Sequence, residues 1–423
     1  MPGTPSRRIA VTGVFDLQNY GDLMFPVIAR HRLSSGFDVV PVAPTAMRPN
    51  LSDAIDPVSL AELFGGSLRF DGLLIGGGYM IHALPMDFMP GYGPAGVAEW
   101  AGAGLWVGAT IAAGGGDMPI AWNAPGVPHR FTPRQKRLMA PVLRAADYVA
   151  VRDRGAAQLL DAPADVPVTI VPDPVADLSR MWPRSGLEAE WRALLARKGV
   201  SGAARTLAVH LRDRAVAGIA MAEIAAALDE LARRHTMLPV LVAVGANHDD
   251  PATMRALAAE MQGPRLLLDD PLSLREISAA FAFASLYIGS SLHGYIASAS
   301  YGVPGVLVAR PAYRKFSGFL DHSGRADDLA FQWDEAFAKA AERAASARST
   351  PLPPHVFTAL DTHWEHVTKV LAAPSTRRAQ RDELLAHAKN QEGIVAMLRP
   401  YLSHTGAFSP DALSGAGLRR AGT

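Results

Sequence analysis

The 423-residue sequence contains no cysteine. Disulfides, thiolate metal sites and thiol nucleophiles are therefore excluded, and the chain fits a reducing compartment. Charge is also scarce: charged residues make up 19% of the chain and the net charge is +1. No global field draws nucleic acid or an anionic membrane, so any anionic ligand has to be held by a local site. Long apolar runs are missing as well. No stretch reaches the roughly 18 uninterrupted apolar residues of a membrane span, and the run near Leu73 is broken by Gly76, Gly77, Gly78 and His82. The opening MPGTPSRRIAVTGVF turns strand-like at once and has no long apolar signal core, so a cytoplasmic protein is expected. The exit of the first strand, VFDLQNYGDLMFP, is not GxGxxG, and there is no HExxH, no GxSxG elbow and no His/Asp cluster at metal spacing. A dinucleotide fingerprint, a metal and an acyl-enzyme are thus not expected.

Hydrophobic residues make up 49% of the sequence, a globular composition, and the length exceeds what one core usually organises. Short apolar runs alternate with helical patterns. RRIAVTGV (7–14), DGLLIGG (71–77), GLWVGAT (104–110), DYVAV (147–151) and PVTIV (167–171) read as strands. The alternation restarts with TLAVHL (206–211), LPVLVAV (238–244), RLLLD (265–269), SLYIG (285–289) and PGVLVA (304–309). Strands apolar on both faces with helices between them predict parallel sheets covered on both sides. The expected fold is α/β, with two Rossmann-like doubly wound domains and a helical C-terminal extension. The expected boundaries are 1–180 for the first domain, 181–202 for a linker and helix, 203–345 for the second domain and 346–423 for the extension. Within the extension, Val356, Leu360, Trp364, Val367 and Leu371 fall at helical spacing, and the chain beyond 402 is expected to fray.

Two such domains leave a cleft between the carboxyl ends of their sheets, so polar residues at strand exits are the candidates. VFDLQNYGDLMFP (14–26) supplies Asn19, Gly21 and Asp22. Asp22 reads either as a helix N-cap or as a group that orients an acceptor hydroxyl. LLIGGGYMIH (73–82) supplies Gly76, Gly77 and Gly78, which let backbone amides approach a ligand, and His82, which also fits a plain loop. A second triple glycine, 114–116, is expected to line the same floor. VAVRDRGAAQLL (149–160) places Arg152 as an anion contact or as half of an Arg–Asp turn, and IVPDPVADL (170–178) holds Asp173 rigidly between prolines. LAVHLRDR (207–214) puts Arg212 at a strand mouth, where a guanidinium matches phosphate or carboxylate. LYIGSSLHGYIASASYGVP (286–304) sets Ser290, Ser291, His293 and Gly294 where a strand turns into a helix, a ready anion site. Lys315, after the next strand, adds a further cation.

The motifs NYGD, LLIGGG, VAVRD, VPDPVADL, VHLR, SSLHGYIASASYGVP and YRKFSGFL, spread over residues 9–320, resemble those of the polysaccharide pyruvyl transferase family in the family's order. The resemblance implies a GT-B-like arrangement of the two domains. It also implies transfer of a pyruvyl group from phosphoenolpyruvate to sugar hydroxyls, usually as a cyclic ketal, with no further cofactor. His293 is implied to be an active-site residue and Arg212 a phosphoenolpyruvate contact; position and residue type alone read His293 as the acid or a phosphate-binding group and Asp22 as the acceptor-side base. Many members carry Arg directly before the Leu-His pair, where this chain has Ser291. The expected partners are phosphoenolpyruvate and a saccharide precursor of a surface or exopolysaccharide. A lipid-linked saccharide would bring the chain to the inner membrane face as a peripheral protein. No nucleic-acid partner is expected, and the oligomeric state stays open. Two rivals remain: a GT-B glycosyltransferase using a nucleotide sugar, and a noncatalytic scaffold whose tail (376–402) recruits partners.

Overall fold

The computed structural model describes residues 6–33, 36–202, 205–246, 249–312, 314–346, 348–388 and 394–402. The first sheet is built from β1 (Arg7–Thr12), β2 (Phe37–Ala43), β3 (Val58–Ser59), β4 (Gly72–Ile75) and β5 (Ile120–Trp122), in the order β3-β2-β1-β4-β5. Every pairing is parallel, and all residues of β4 and β5 are buried, because helices cover both faces. Two more strands, β6 (Val149–Val151) and β7 (Val168–Ile170), pair with each other beyond β5, to which Ala121 and Tyr148 form a bridge.

The second sheet repeats the winding. It comprises β8 (Thr206–His210), β9 (Leu238–Val242), β10 (Leu266–Leu268), β11 (Leu286–Gly289), β12 (Gly305–Val308) and β13 (Leu329–Ala330), in the order β10-β9-β8-β11-β12-β13. In each sheet the winding reverses between its first and fourth strands, β1 with β4 and β8 with β11. Ligands of doubly wound folds bind at this crevice. Register sharpens the point: Thr12 pairs with Ile75 and His210 with Gly289, so the segments after each pair leave the sheet side by side.

The GLWVGAT run is not a strand. Ala101–Ala103, Gly104–Gly108 and Ala109–Gly115 form one continuous helix with a π-turn in its middle, and the next strand is β5. The run is apolar at nearly every position, so it has neither a period of two nor one of 3.6, and burial alone cannot separate strand from helix. Gly114, Gly115 and Gly116 consequently end a helix instead of flooring the cleft. A separate turn at Asp213–Val216 precedes the helix Met221–His235.

The two domains are stapled on one side. Asn19 bridges Gly245, the Tyr20 amide donates to the Val244 carbonyl (2.7 Å), and the Tyr20 hydroxyl lies 2.9 Å from Ser278 Oγ. Asp53 accepts from the Leu274 and Arg275 amides (2.6 and 3.0 Å), so a first-domain carboxylate covers the start of a second-domain helix. The connecting segment packs on that same helix: Trp191 stacks on Phe283 and Arg275 pairs with Glu190.

The extension returns to the first domain. Val356, Leu360, Trp364, Val367 and Leu371 of the helix Pro354–Ala372 are all buried, and each such side chain contributes about 1.5–3 kcal/mol. His363 lies between Tyr148 and Asn123, 3.1 Å from each, and Arg7 donates to the Ala372 carbonyl. In the following helix, Arg378–Ala388, the Arg381 side chain is buried and pairs with Asp147 at 2.7 Å. The expected frayed end lies outside the described residues. Among the described residues no helix is long and apolar enough to cross a membrane.

Candidate active site

A cleft of ≈ 310 Å³ lies where the two winding reversals face each other. Six of its lining side chains follow six different strands: Asp22 after β1, Tyr79 after β4, Arg152 after β6, Arg212 after β8, His293 after β11 and Lys315 after β12. The sequence-expected residues Asn19, Gly77, His82, Ser290 and Ser291 line it too.

The turn after β11 is built by its serines. Ser291 Oγ accepts from the Gly294 amide at 3.1 Å and so caps the helix Leu292–Ser300. Ser290 Oγ accepts from the Arg212 amide at 2.9 Å, tying the exits of β8 and β11 together. Gly294 serves packing: a Cβ there would approach the Tyr287 hydroxyl at 3.0 Å, and its amide is taken by Ser291.

His293 is held by close fit from the opposite domain. Its Nε2 is 3.4 Å from Asp173 Oδ2, and its ring meets Phe25 edge-on at 5.7 Å. A Cβ on Gly21 would lie 1.7 Å from His293 Nδ1, and one on Gly77 would lie 2.0 Å from the Phe25 ring. The glycines of NYGD and LLIGGG are therefore spaces for this histidine and for the ring that supports it. Gly78 takes a positive φ of 89°, and a Cβ there would meet Asp22 Oδ1 at 2.7 Å. Gly76 serves packing against the Thr12 carbonyl.

Asp22 is not the cap of its helix. Asn19 takes that role, its Oδ1 accepting from the Gly21 amide at 3.2 Å, and Asp22 in the first turn of Tyr20–Arg32 is left to face the cleft. Burial raises its pKa above the ordinary carboxylate value, against the pull of His293, Lys315, Arg212 and Arg152. For Asp173, burial acts in the same direction, but the contact and charge of His293 and the charge of Arg152 outweigh it, and its pKa lies below the ordinary value. Asp173 Oδ1 also accepts from the Val175 amide, and Arg152 Nη1 lies 3.8 Å from Oδ2. Arg152, almost fully buried, runs along Asp153 (3.4 Å), which caps the next helix through the Ala156 amide.

The cations converge. The Arg152 guanidinium lies 4.8 Å from the Tyr79 ring centroid and Lys315 Nζ lies 5.5 Å from the same centroid. Burial first, then the charges of Arg212, Arg214 and Arg152, push the Lys315 ammonium well below the usual lysine range. Arg152 Nη2 and Arg212 Nε are buried without a hydrogen-bond partner. Buried donors of this kind are costly unless a ligand meets them.

His82 lines the cleft from a structural position. Its Nδ1 accepts from the Leu84 amide, its carbonyl accepts from the Trp106 indole, and burial and then His129 lower its pKa to about 3. Sequence reasoning missed Tyr79, although it directly follows the triple glycine, and Arg214, two residues past Arg212. It also missed the apolar wall of Met80, Met86, Phe88 and Met89. Beneath Arg212, His210 Nε2 meets Asp250 Oδ2 at 2.9 Å, both fully buried, a support visible in sequence only as one polar residue in the VHLR strand. Among the described residues no cluster of His, Asp and Glu could hold a metal ion.

Two Rossmann-like domains with an anion-seeking cleft between their switch points define a GT-B-type protein. Solved structures agree on the fold. The S. aureus MnaA–UDP co-structure matches with a TM-score of 0.53 at 12% identity, covering 87% of this chain and 99% of that one. UDP-GlcNAc 2-epimerase from Methanocaldococcus jannaschii matches with a TM-score of 0.53 at 9% identity, covering 86% and 99%. No curated protein matches the sequence. The family model for polysaccharide pyruvyl transferase matches residues 19–311, and the chain belongs to that family.

Proposed function

We propose that the protein transfers the pyruvyl group of phosphoenolpyruvate to two hydroxyls of a saccharide in a surface-polysaccharide precursor, closing a cyclic ketal. The observation that carries this reading is the convergence of Arg152, Arg212, His293 and Lys315 on one cleft, with unmet buried donors, opposite Asp22. Phosphoenolpyruvate presents a phosphate and a carboxylate, and guanidinium forks suit both. Ser291 caps its helix where relatives often carry Arg, and Arg152 and Lys315 supply cations from other strand exits.

In this reading His293 gives a proton to the methylene carbon, which makes C2 electrophilic. Asp22 accepts the proton of the attacking hydroxyl. Asp173 holds His293 in place through Nε2. Phosphate leaves C2 and a second hydroxyl of the same sugar closes the ring. The reaction needs no further cofactor. The protein would work in the cytoplasm, and a lipid-linked acceptor would bring it to the inner membrane face.

Thermal shift tests the reading cheaply. Phosphoenolpyruvate should raise the melting temperature, and Arg212→Ala should remove that shift. A shift with a nucleotide sugar and none with phosphoenolpyruvate would favour glycosyl transfer instead.

A further inference from the structure

Ketal closure sets a proton balance that His293 and Asp22 do not complete. Two hydroxyl protons are released. One is balanced by the proton added to the methylene carbon: Asp22 takes it from the first hydroxyl and can return it to His293, its principal charge neighbour. The second must leave the ring-closing hydroxyl, and the departing phosphate must gain one.

We propose that Lys315 is the second proton carrier of this cleft, taking the proton of the ring-closing hydroxyl and delivering it to the departing phosphate. The proposal rests on the pyruvyl-transfer reading above. Its geometric basis is crowding. Lys315 lines the cleft with Arg152, Arg212 and Arg214, and it shares the Tyr79 ring with Arg152. Asp22 and His293 face the same space from the turns after β1 and β11. Asp22 is the carboxylate that draws the lysine's charge, since Asp173 is engaged by His293 and Arg152 and Asp153 caps a helix. On the lysine's own helix, Arg314–Ser323, Arg314 adds another positive charge. Guanidiniums do not give up their protons, so the lysine is the cation that can relieve the crowding. Burial and the three arginines drive its amine in that direction. The position suits the task, in one cleft with the phosphate-seeking arginines and the acceptor-side Asp22.

The step balances. The C2–O bond to phosphate breaks and the C2–O bond to the second hydroxyl forms. The hydroxyl O–H breaks as N–H forms on Lys315, and that proton then passes to a phosphate oxygen, which restores the amine. No oxidant, reductant or co-reactant enters.

Competitive acylation with acetic anhydride, read by mass spectrometry, measures the titration of Lys315 without reference to turnover. Its midpoint should lie well below that of the exposed lysines. Lys315→Arg keeps a charge but cannot cycle a proton, so kcat should fall about 10²–10⁴-fold while phosphoenolpyruvate still binds. Methylamine should restore part of the turnover of Lys315→Ala. A Lys315 that titrates with the exposed lysines, or a Lys315→Arg variant with near wild-type kcat, would overturn the proposal. Wild-type protein that consumes no phosphoenolpyruvate with any saccharide would instead contradict the pyruvyl-transfer reading, and the acylation result would identify that case.

Discussion

Nε2 of His293, on the helix after β11, lies 3.4 Å from Oδ2 of Asp173, in the loop after β7. The contact joins the two domains across the cleft and links a catalytic candidate to a carboxylate that also faces Arg152. Asp173 is the expected positioning residue. Asp173→Asn should lower kcat about 10²-fold or more and shift its pH profile, while phosphoenolpyruvate affinity changes little.

The same carboxylate predicts a pH effect on stability. Its folded pKa is depressed, so its contribution is present above the ordinary carboxylate range and lost as pH falls through the folded value. Removing one partner of a buried ion pair costs about 3–5 kcal/mol. Melting curves should show Asp173→Asn well below wild type at neutral pH, with the gap narrowing below about pH 4. A gap that does not change with pH would contradict the assignment.

Asp22 should behave in the opposite way. Its folded pKa is raised, so the charged form costs stability once pH rises through that value, and the protonated form is favoured below it. Asp22→Asn mimics the protonated form. The variant should melt at or above the wild-type temperature at neutral pH and lose most of its turnover. A destabilised variant would show that the surrounding cations need this charge more than burial opposes it.

Gly21→Ala tests the fit around His293. The added methyl would lie 1.7 Å from Nδ1, so the ring has to move. Turnover should collapse at a modest cost in melting temperature, because the ring can swing into the open cleft. Unchanged turnover would mean that the observed His293 position is not the working one.

The extension carries a prediction about stability rather than chemistry. Arg381 is buried, pairs with Asp147 and donates to the Ala145 carbonyl. Arg381→Ala should cost about 3–5 kcal/mol in denaturant unfolding, with the activity of the folded fraction unchanged. An unchanged midpoint would make this helix a peripheral tail, as the scaffold reading supposes.

Much of the frame was legible in sequence because the second-domain strands β8 to β12 are short apolar runs, three of which lead into polar segments. Arg212, His293 and Lys315 stand out for that reason. Residues whose roles depend on distant partners were not legible. Asp22 reads equally as a helix cap or an acceptor-side group until Asn19 is seen to take the capping bond, and Asp173 reads only as rigidly held until His293 arrives from the other domain. Tyr79 becomes informative once Arg152 and Lys315 gather on its ring. The helix 354–372 shows its apolar stripe in sequence but not its destination, since His363 meets Asn123 across 240 residues of chain. GLWVGAT misled because a run without periodicity carries no strand or helix signal.

The most direct test of the central claim is mass spectrometry of saccharide acceptors incubated with the protein and phosphoenolpyruvate. Pyruvyl transfer predicts an acceptor heavier by pyruvate less one water, phosphate released in equal amount, and neither product with His293→Ala or Arg212→Ala. Phosphoenolpyruvate left intact across an acceptor panel, or acceptor modified equally by both variants, would contradict the account.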